Sequence, residues 1–241
     1  MSDAAPEEPK PHKPPRWREL LTELAIVVVG VGLALAAQQA AEWLHWRSEV
    51  ADARIALRAE MALNAGGPFA RRIAYQRCMT RQLAEAEGMI ADLKAGRTPR
   101  KYTSLHTGVA QLFNDSEWQS QRASQVLTHF PHDELALMGS YYAQFENFRA
   151  WTENEGPAWA DLKVLNDPPA GLTASDFLRL QSSLHVAQRM NGIIVSNSER
   201  QLRLARQLGI TPAPVDTGWV EKFCSTYDEA WAAYQRSVGP R

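Results

Sequence analysis

The sequence predicts an all-α protein in which an N-terminal transmembrane helix continues into a bundle of long helices. Alanine is abundant and arginine far outnumbers lysine, a composition typical of long helices. The alternation of β-branched and polar residues that marks strands is scarce after Val31. Apolar residues recur instead at steps of three and four, as they do along one face of a helix.

The size and charge of the chain limit its class. At 241 residues it is long enough for one sizeable core beyond an anchor. With a formal net charge of -1, it lacks the basic field by which nucleic-acid-binding proteins neutralise phosphates, so we expect no nucleic acid as partner. The predicted parts are a disordered cytoplasmic tail over residues 1–15, a transmembrane helix and stalk over 16–65, and an exported helical bundle domain over 66–241.

An apolar segment near the N-terminus has the length of a membrane span. Leu24 to Ala41 are eighteen consecutive uncharged residues, and leucines extend the run to residues 20–44. A span needs about 20 residues to cross about 30 Å of hydrocarbon. Indole rings favour the two membrane interfaces. The predicted interface belt consists of the flanking residues Trp17, Trp43 and Trp46.

A cleaved signal peptide is the alternative interpretation of this segment. A basic stretch precedes it, and Ala34-Leu35-Ala36 has the small-x-small form that signal peptidases recognise. Helix-compatible sequence continues without a breaker as far as Asn64, so the span and a following stalk form one predicted helix. The sequence therefore favours an uncleaved anchor.

The charges around the span indicate its orientation. The segment before it is short and rich in proline, so it stays inside more easily than a whole domain would. We expect a single-pass protein with a cytoplasmic N-terminus and an exported C-terminal domain. Basic residues also favour this orientation slightly, with Lys10, Lys13, Arg16 and Arg18 before the span against Arg47, Arg54 and Arg58 after it.

The two cysteines bear on this placement. Cys78 and Cys224 lie in predicted helices far apart in the sequence, and an exported domain is free to bridge them. Such a disulfide ties the second helix to the last. The alternative is a pair of unpaired, buried thiols.

Turn residues divide the exported domain into helices. Gly66-Gly67-Pro68 is predicted to stop the first long helix and start a second, which runs to about Ala95. Long helices joined in this way predict antiparallel neighbours. The next predicted helices are a short one over 104–113, one capped by Asp115 or Ser116 that ends near Phe130, and one starting at Pro131 that Gly156-Pro157 kinks or breaks.

The most periodic segment follows a turn at residues 166–171. A helix capped by Thr173 or Ser175 is predicted to run to about Leu208. Its coiled-coil-like seam consists of Phe177, Leu180, Leu184, Ala187, Asn191, Ile194 and Ser198. A last helix packs aromatic residues against the bundle, namely Trp219, Phe223, Tyr227 and Trp231.

Several features occur together in a known group of proteins. They are Glu23 followed seven residues later by Gly30, the run from Gly30 to Leu35, a tryptophan at the membrane exit, a stalk ending near Glu60 and Asn64, and, further along, Trp118–Leu127 and Tyr141-Tyr142. In these features, which cover most of the chain, it resembles a family of bacterial single-pass envelope proteins with a domain of unknown function. The resemblance implies a bacterial inner membrane and a periplasmic domain, and it implies no catalytic residue.

One face of the predicted span combines small and polar residues, among them Glu23, Gly30, Ala34 and Gln38. Small residues let another helix come close, and polar side chains hydrogen-bond across such a contact. We predict that this stripe contacts a membrane helix of a partner protein or of a second copy. The alternative is that Glu23 reaches the cytoplasmic headgroups and that the small residues are ordinary residues of a span.

Candidate chemistry in the exported domain is sparse. A compact group of potential metal ligands comprises His129, His132, Asp133 and Glu134, but a solvated helix start explains it better. The sequence contains no motif of a serine hydrolase, a P-loop nucleotide-binding protein or a zinc peptidase. We therefore expect neither an enzyme nor a metal or cofactor.

Two further features have both a structural and a functional interpretation. Asn191 lies in the middle of the seam, where a buried residue that sets helix register is commoner than a ligand contact. Arg200, Arg203 and Arg206 form a basic helix face, which is more often solvated than bound to an anion. The structural interpretation is favoured in both cases.

These observations leave two hypotheses about function. The leading one is a membrane-anchored interaction or scaffold protein of the bacterial envelope. The alternative is a periplasmic helical bundle that senses a ligand between its helices, near Asn191 and Ser198, and signals through a partner membrane protein.

Overall fold

The computed structural model describes residues 17–99, 104–106, 112–214 and 218–238, and the predicted tail over 1–15 lies outside them. The all-α prediction is confirmed, since helices and no strands are found in the described ranges. Their bounds are α1 (Trp17–Asn64), α2 (Ala70–Lys94), α3 (Ser116–Ala123), α4 (His132–Tyr142), α5 (Phe145–Leu162), α6 (Ala174–Gln207) and α7 (Gly218–Val238).

The largest departure from the predicted organisation is at Gly66-Gly67-Pro68. Instead of ending the helix, these residues belong to a π-helical turn, Ala65–Phe69, that connects α1 directly to α2. Asn64 and Ala70, on either side of the turn, both have right-handed helical backbone angles. The predicted stop was therefore wrong, and α1 and α2 do not form an antiparallel hairpin.

A close approach of the chain after α6 explains the first of these glycines. The Ala213 amide donates to the Ala62 carbonyl, with N and O 2.9 Å apart. A Cβ atom on Gly66 would clash with the backbone of Ala213, whereas a Cβ on Gly67 would have no neighbour within 4 Å. Gly66 thus serves a backbone contact rather than the end of a helix.

The short helix predicted over 104–113 is not found where the structure describes the chain. Residues 104–106 and 112–115 are not helical, and 107–111 lie outside the described residues. The Leu105 amide donates to the Asn166 side-chain oxygen at 2.7 Å, and the Asn166 amide group donates back to the Leu105 carbonyl at 2.9 Å. A side chain therefore satisfies the backbone groups that a helix would have used.

Two other predicted helix boundaries were also wrong. The helix expected to reach Phe130 ends at Ala123, because Gln125 has a left-handed φ of 64°. The following helix is interrupted between Tyr142 and Phe145, while Gly156-Pro157 lies inside α5. Pro157 has no N–H to donate to the carbonyl of Glu153, four positions earlier. Both residues are exposed, so this carbonyl can bind water instead.

The α6 helix follows its prediction closely. Thr173 caps it, accepting from the Asp176 amide while the Asp176 carboxylate accepts from the Thr173 amide. Along the predicted seam Phe177 is half-buried, and the other members, from Leu180 to Ser198, are buried. The helix packs against both α2 and α5, and α7 packs against α2, so α2 and α6 form the centre of the core.

The chain divides into two compact units, the first ending at Glu49 and the second beginning at Val50. In the first unit, the described residues belong to α1 and are almost all exposed. In the second unit, the last turns of α1 bury Ala53, Leu57 and Met61 in the bundle. The division therefore lies within the predicted stalk, because the end of α1 belongs to the bundle.

The contact at Gly66 predicts different effects for two neighbouring substitutions. Gly66→Ala must displace the Ala213 backbone, so we expect the free energy of unfolding to fall by about 1 to 3 kcal/mol. Gly67→Ala is the matched control, and its open surroundings predict no loss. Thermal unfolding of both full-length variants in detergent, followed by circular dichroism, measures the difference; equal unfolding temperatures would contradict the assignment.

Candidate functional site

The apolar segment of α1 is the first candidate functional element. Within this helix an 18-residue window has a mean hydropathy of 2.4, and none of it is buried. By length and composition this segment could cross a membrane. Since the core helix of a soluble protein is normally buried, its exposure requires an explanation.

The structure places every residue of the predicted stripe and belt on α1. Glu23, Gly30, Ala34 and Gln38 are exposed, and the Gln38 amide donates to the Glu42 carboxylate one turn later, at 3.1 Å. Of the predicted belt, Trp17 and Trp43 are exposed, whereas Trp46 is half-buried.

The end of α1 supplies a carboxylate that caps another helix. Glu60 is 3% exposed, and it accepts hydrogen bonds from the Glu117 amide at 2.8 Å and the Trp118 amide at 3.3 Å. These amides belong to the first turn of α3, where the helix has no carbonyls to offer them. Asp115, the predicted cap, makes no capping hydrogen bond with its side chain. The negative charge also lies at the positive end of the helix dipole, which stabilises it.

One turn further on, Asn64 holds the segment that leads into α3. Its amide group donates to the Asn114 carbonyl at 2.6 Å, and its side-chain oxygen accepts from the Asn114 amide at 3.0 Å. Together with Glu60, it fixes residues 114–118 against α1. Both residues were singled out in the sequence as the end of the stalk.

Two tyrosines complete this buried cluster. The Tyr142 hydroxyl donates to Glu60 at 2.8 Å, and the Tyr141 hydroxyl donates to the Met61 carbonyl at 3.1 Å. The Trp118 ring stacks on Tyr142, with centroids 4.7 Å apart and planes inclined by 9°. Burial raises the pKa of the Tyr142 phenol above its ordinary value, and the hydrogen bond to the Glu60 carboxylate raises it further.

A second buried cluster lies where α2, α5 and α6 meet. Arg72 is fully buried and donates two hydrogen bonds to Glu155, at 2.6 and 2.9 Å. It also donates to the side-chain oxygen of Asn191 at 3.2 Å. Asn191, predicted to set helix register, therefore lies in an ion-pair network that joins three helices.

The two cysteines meet in a disulfide that joins α2 to α7. Cys78 and Cys224 have Cα atoms 5.4 Å apart, and both side chains are buried. On α7, one helical turn after Cys224, the Tyr227 hydroxyl donates to the carboxylate of Glu85, a buried residue of α2. The neighbouring Asp228 pairs with arginines of α2. The sequence predicts that Trp219 and Trp231 also pack here, but their side chains are not among those that the structure describes.

The potential metal ligands do not converge. His129, His132 and Asp133 are exposed, and the Glu134 carboxylate accepts two hydrogen bonds from Arg54, at 2.8 and 2.9 Å. Across the described part of the chain, no group of three or more histidine, cysteine or acidic side chains is arranged to hold a metal ion. The predicted basic face of α6 is exposed, and it consists of Arg200, Arg203 and Arg206.

The sequence analysis missed the Arg72 cluster, although the sequence carries a signal for it. Arg72 lies three residues after Phe69 and seven before Met79, on the apolar face of α2. Glu155 similarly lies seven residues after Phe148 and four before Trp159. A charged residue on the buried face of each of two helices indicates an ion pair between them.

Comparison with models of protein families, with curated proteins and with solved structures finds no match to this chain.

The raised tyrosine pKa values predict a loss of stability at alkaline pH. Burial also raises the pKa of Tyr75, to about 12. Above pH about 10, the ordinary value for tyrosine, the folded protein binds more protons than the unfolded chain, so the free energy of unfolding falls as the pH rises. In Tyr142→Phe we expect lower stability at neutral pH but a shallower decline above pH about 10. Unfolding temperatures of the wild type and Tyr142→Phe, measured across this pH range, test the prediction. If both proteins lost stability in parallel, the buried Tyr142 phenol would not be a source of the decline.

The Arg72 cluster predicts a strongly non-additive pair of substitutions. Arg72→Met leaves a buried carboxylate without its cation, which typically costs about 3 to 5 kcal/mol of stability. Arg72→Met combined with Glu155→Leu removes both charges and should recover most of that loss. Arg97→Ala, which removes the exposed partner of the ion pair with Asp92, is the control and should cost less than about 1 kcal/mol. Denaturant unfolding of the wild type, Arg72→Met, Glu155→Leu, the double variant and the control tests this, and additive losses of the two single variants would refute it.

Proposed function

We propose that this protein is a single-pass, membrane-anchored scaffold of the bacterial envelope. In this proposal α1 holds the chain in the inner membrane, with its N-terminus in the cytoplasm. The helical domain lies in the periplasm and works by contact with other proteins rather than by catalysis.

The exposed apolar segment of α1 is the observation that carries the proposal. A window with a mean hydropathy of 2.4 and no buried residue leaves a large apolar surface without a protein partner. Water contact costs about 25 cal/mol for each Å² of such surface, whereas lipid tails remove that cost. The small and polar stripe, with Gly30 and Ala34 at its centre, suits close contact with a second membrane helix.

The disulfide supports export of the domain. Disulfides persist in the periplasm and outside the cell, and they are rare in the reducing cytosol. The bond between Cys78 and Cys224 is buried in the bundle and joins its first and last described helices beyond the π-helical turn. A chain that keeps this bond is best placed on the oxidising side of the membrane.

The buried polar residues favour a scaffold over an enzyme. Glu60 serves the first turn of α3, and Arg72 and Glu155 satisfy each other's charges. Asn191 accepts from Arg72, and the Ser198 hydroxyl donates to the Ile194 carbonyl. These side chains hold helices together.

A ligand-sensing bundle remains the second candidate because the structure has a cleft away from the Asn191 seam. It has a volume of about 630 Å³, and Leu93, Leu172 and Phe177 form its apolar walls between the end of α2 and the turn before α6. Pockets for small ligands usually have volumes in this range. Any sensing would then use this cleft rather than the Asn191 seam.

Membrane topology can be tested with the full-length chain carrying a C-terminal epitope. We expect it to stay with membranes after carbonate washing, to keep its original N-terminus, and to lose the epitope to protease in spheroplasts but not in intact cells. It should also migrate faster without reductant, whereas a Cys224→Ser control should not. A soluble periplasmic product beginning after Ala36 would show a cleaved signal peptide and overturn the anchor.

A further inference from the structure

A small pocket lies between α3 and the segment where α4 ends and α5 begins. Its volume is about 260 Å³, and its lining residues are different from those of the apolar cleft beside α2 and α6. Pockets for drug-sized ligands usually measure about 300 to 1,000 Å³. This pocket therefore suits a smaller molecule.

Two side chains of opposite charge line this pocket. Arg122 belongs to the last turn of α3, and Glu146 belongs to the first turn of α5. Both side chains are exposed, and neither has an ion-pair or hydrogen-bond partner among the residues that the structure describes. One cation and one anion are thus free to bind a ligand in the pocket.

The remaining charged residue of the lining is already neutralised. One oxygen of the Asp115 carboxylate accepts from Arg149 at 2.7 Å, and the other accepts from the Gln119 amide group at 3.2 Å. The free charges of the pocket therefore cancel. A ligand with a single charge can pair with only one of them, whereas a zwitterion can pair with both.

Aromatic rings and a glycine complete the pocket. The half-buried Trp118 ring stacks on Tyr142, and both residues belong to the lining. Gly139 lies within α4, and a Cβ atom there would meet no neighbour within 4 Å. Apolar surface and open space thus accompany the two free charges, so the pocket also accommodates the hydrocarbon part of a ligand.

We propose that this pocket binds a free amino acid. The carboxylate of the ligand pairs with Arg122, its ammonium group pairs with Glu146, and its side chain packs beside Trp118 and Gly139. This binding is a further property of the helical domain, and it does not depend on the proposed membrane anchor.

The pocket borders the contact that holds the end of α1. The Trp118 amide and the Tyr142 hydroxyl both donate to the buried Glu60 carboxylate, at 3.3 and 2.8 Å. The same two residues line the pocket. A bound amino acid would therefore contact the residues that receive Glu60.

Equilibrium dialysis of the full-length protein in detergent against each of the twenty common L-amino acids, radiolabelled, tests the proposal. We expect the protein to retain at least one of them, at one molecule per chain. As competitors, the amine that lacks its carboxylate and the acid that lacks its amino group should each be at least about tenfold weaker, because each loses a charge-assisted contact. Retention of none of the twenty, or equal competition by either analogue, would overturn the proposal.

Substitutions of the free charges locate the binding. Arg122→Ala and Glu146→Ala should each weaken binding at least about tenfold. Arg200→Ala is the matched control, since Arg200 is an exposed arginine of α6, and it should leave binding unchanged. Each charge also lies at the helix end whose dipole favours it, so the affinity rather than the unfolding temperature is the readout. Unchanged affinity in either pocket variant would overturn the assignment.

Filling the pocket provides an independent test. Gly139→Leu should abolish binding, because its side chain enters the open space that the ligand needs. Gly192→Leu, at a glycine of α6 that also has no neighbour within 4 Å, should bind as the wild type does. An intact Cys78–Cys224 bond and an unchanged circular dichroism spectrum verify that each variant is folded. A folded Gly139→Leu protein that still bound the amino acid would place the site elsewhere and overturn the proposal.

Discussion

The buried ion pair between Arg72 and Glu155 determines how the centre of the domain packs. Arg72 reaches from α2 to Glu155 on α5, and Asn191 on α6 accepts from the same guanidinium. Sliding any of these helices by one turn, about 5.4 Å, would separate the partners and leave a charge in an apolar core. Apolar side chains around the network tolerate several arrangements, whereas the directional hydrogen bonds specify one. The other contacts of the bundle depend on this register.

The end of α1 depends on the bundle in a different way. Besides the apolar side chains that it buries, it has polar side chains that bind backbone groups: Glu60 at the start of α3, Arg58 at the end of α6, and Asn64 in the segment before α3. Each of these satisfies groups that a helix end or a loop leaves unpaired. The helix that carries the apolar segment thus also completes the helix termini of the domain, so this segment and part of the domain belong to one helix.

Sequence patterns predicted the elements that local chemistry determines and missed those that distant contacts determine. The length and cap of α6 follow from its periodicity and from Thr173 with Asp176, all within the same segment. The π-helical turn depends on Ala213, far along the chain, and the cap of α3 depends on Glu60 rather than on the adjacent Asp115. Helix propensity does not contain such contacts. The same reason explains why Glu60 was noted in the sequence without its role. The Arg72 network differs, because charged residues on the apolar faces of α2 and α5 signal it in the sequence.

The disulfide between Cys78 and Cys224 also bears on how the protein is made. The two residues are 146 positions apart, and the second lies in α7. The ribosome must therefore synthesise the chain as far as α7 before the covalent ring can close. A polypeptide truncated before α7 would keep its apolar segment but never acquire the ring. The bond thereby distinguishes chains that extend through α7 from shorter fragments, which lack the second cysteine.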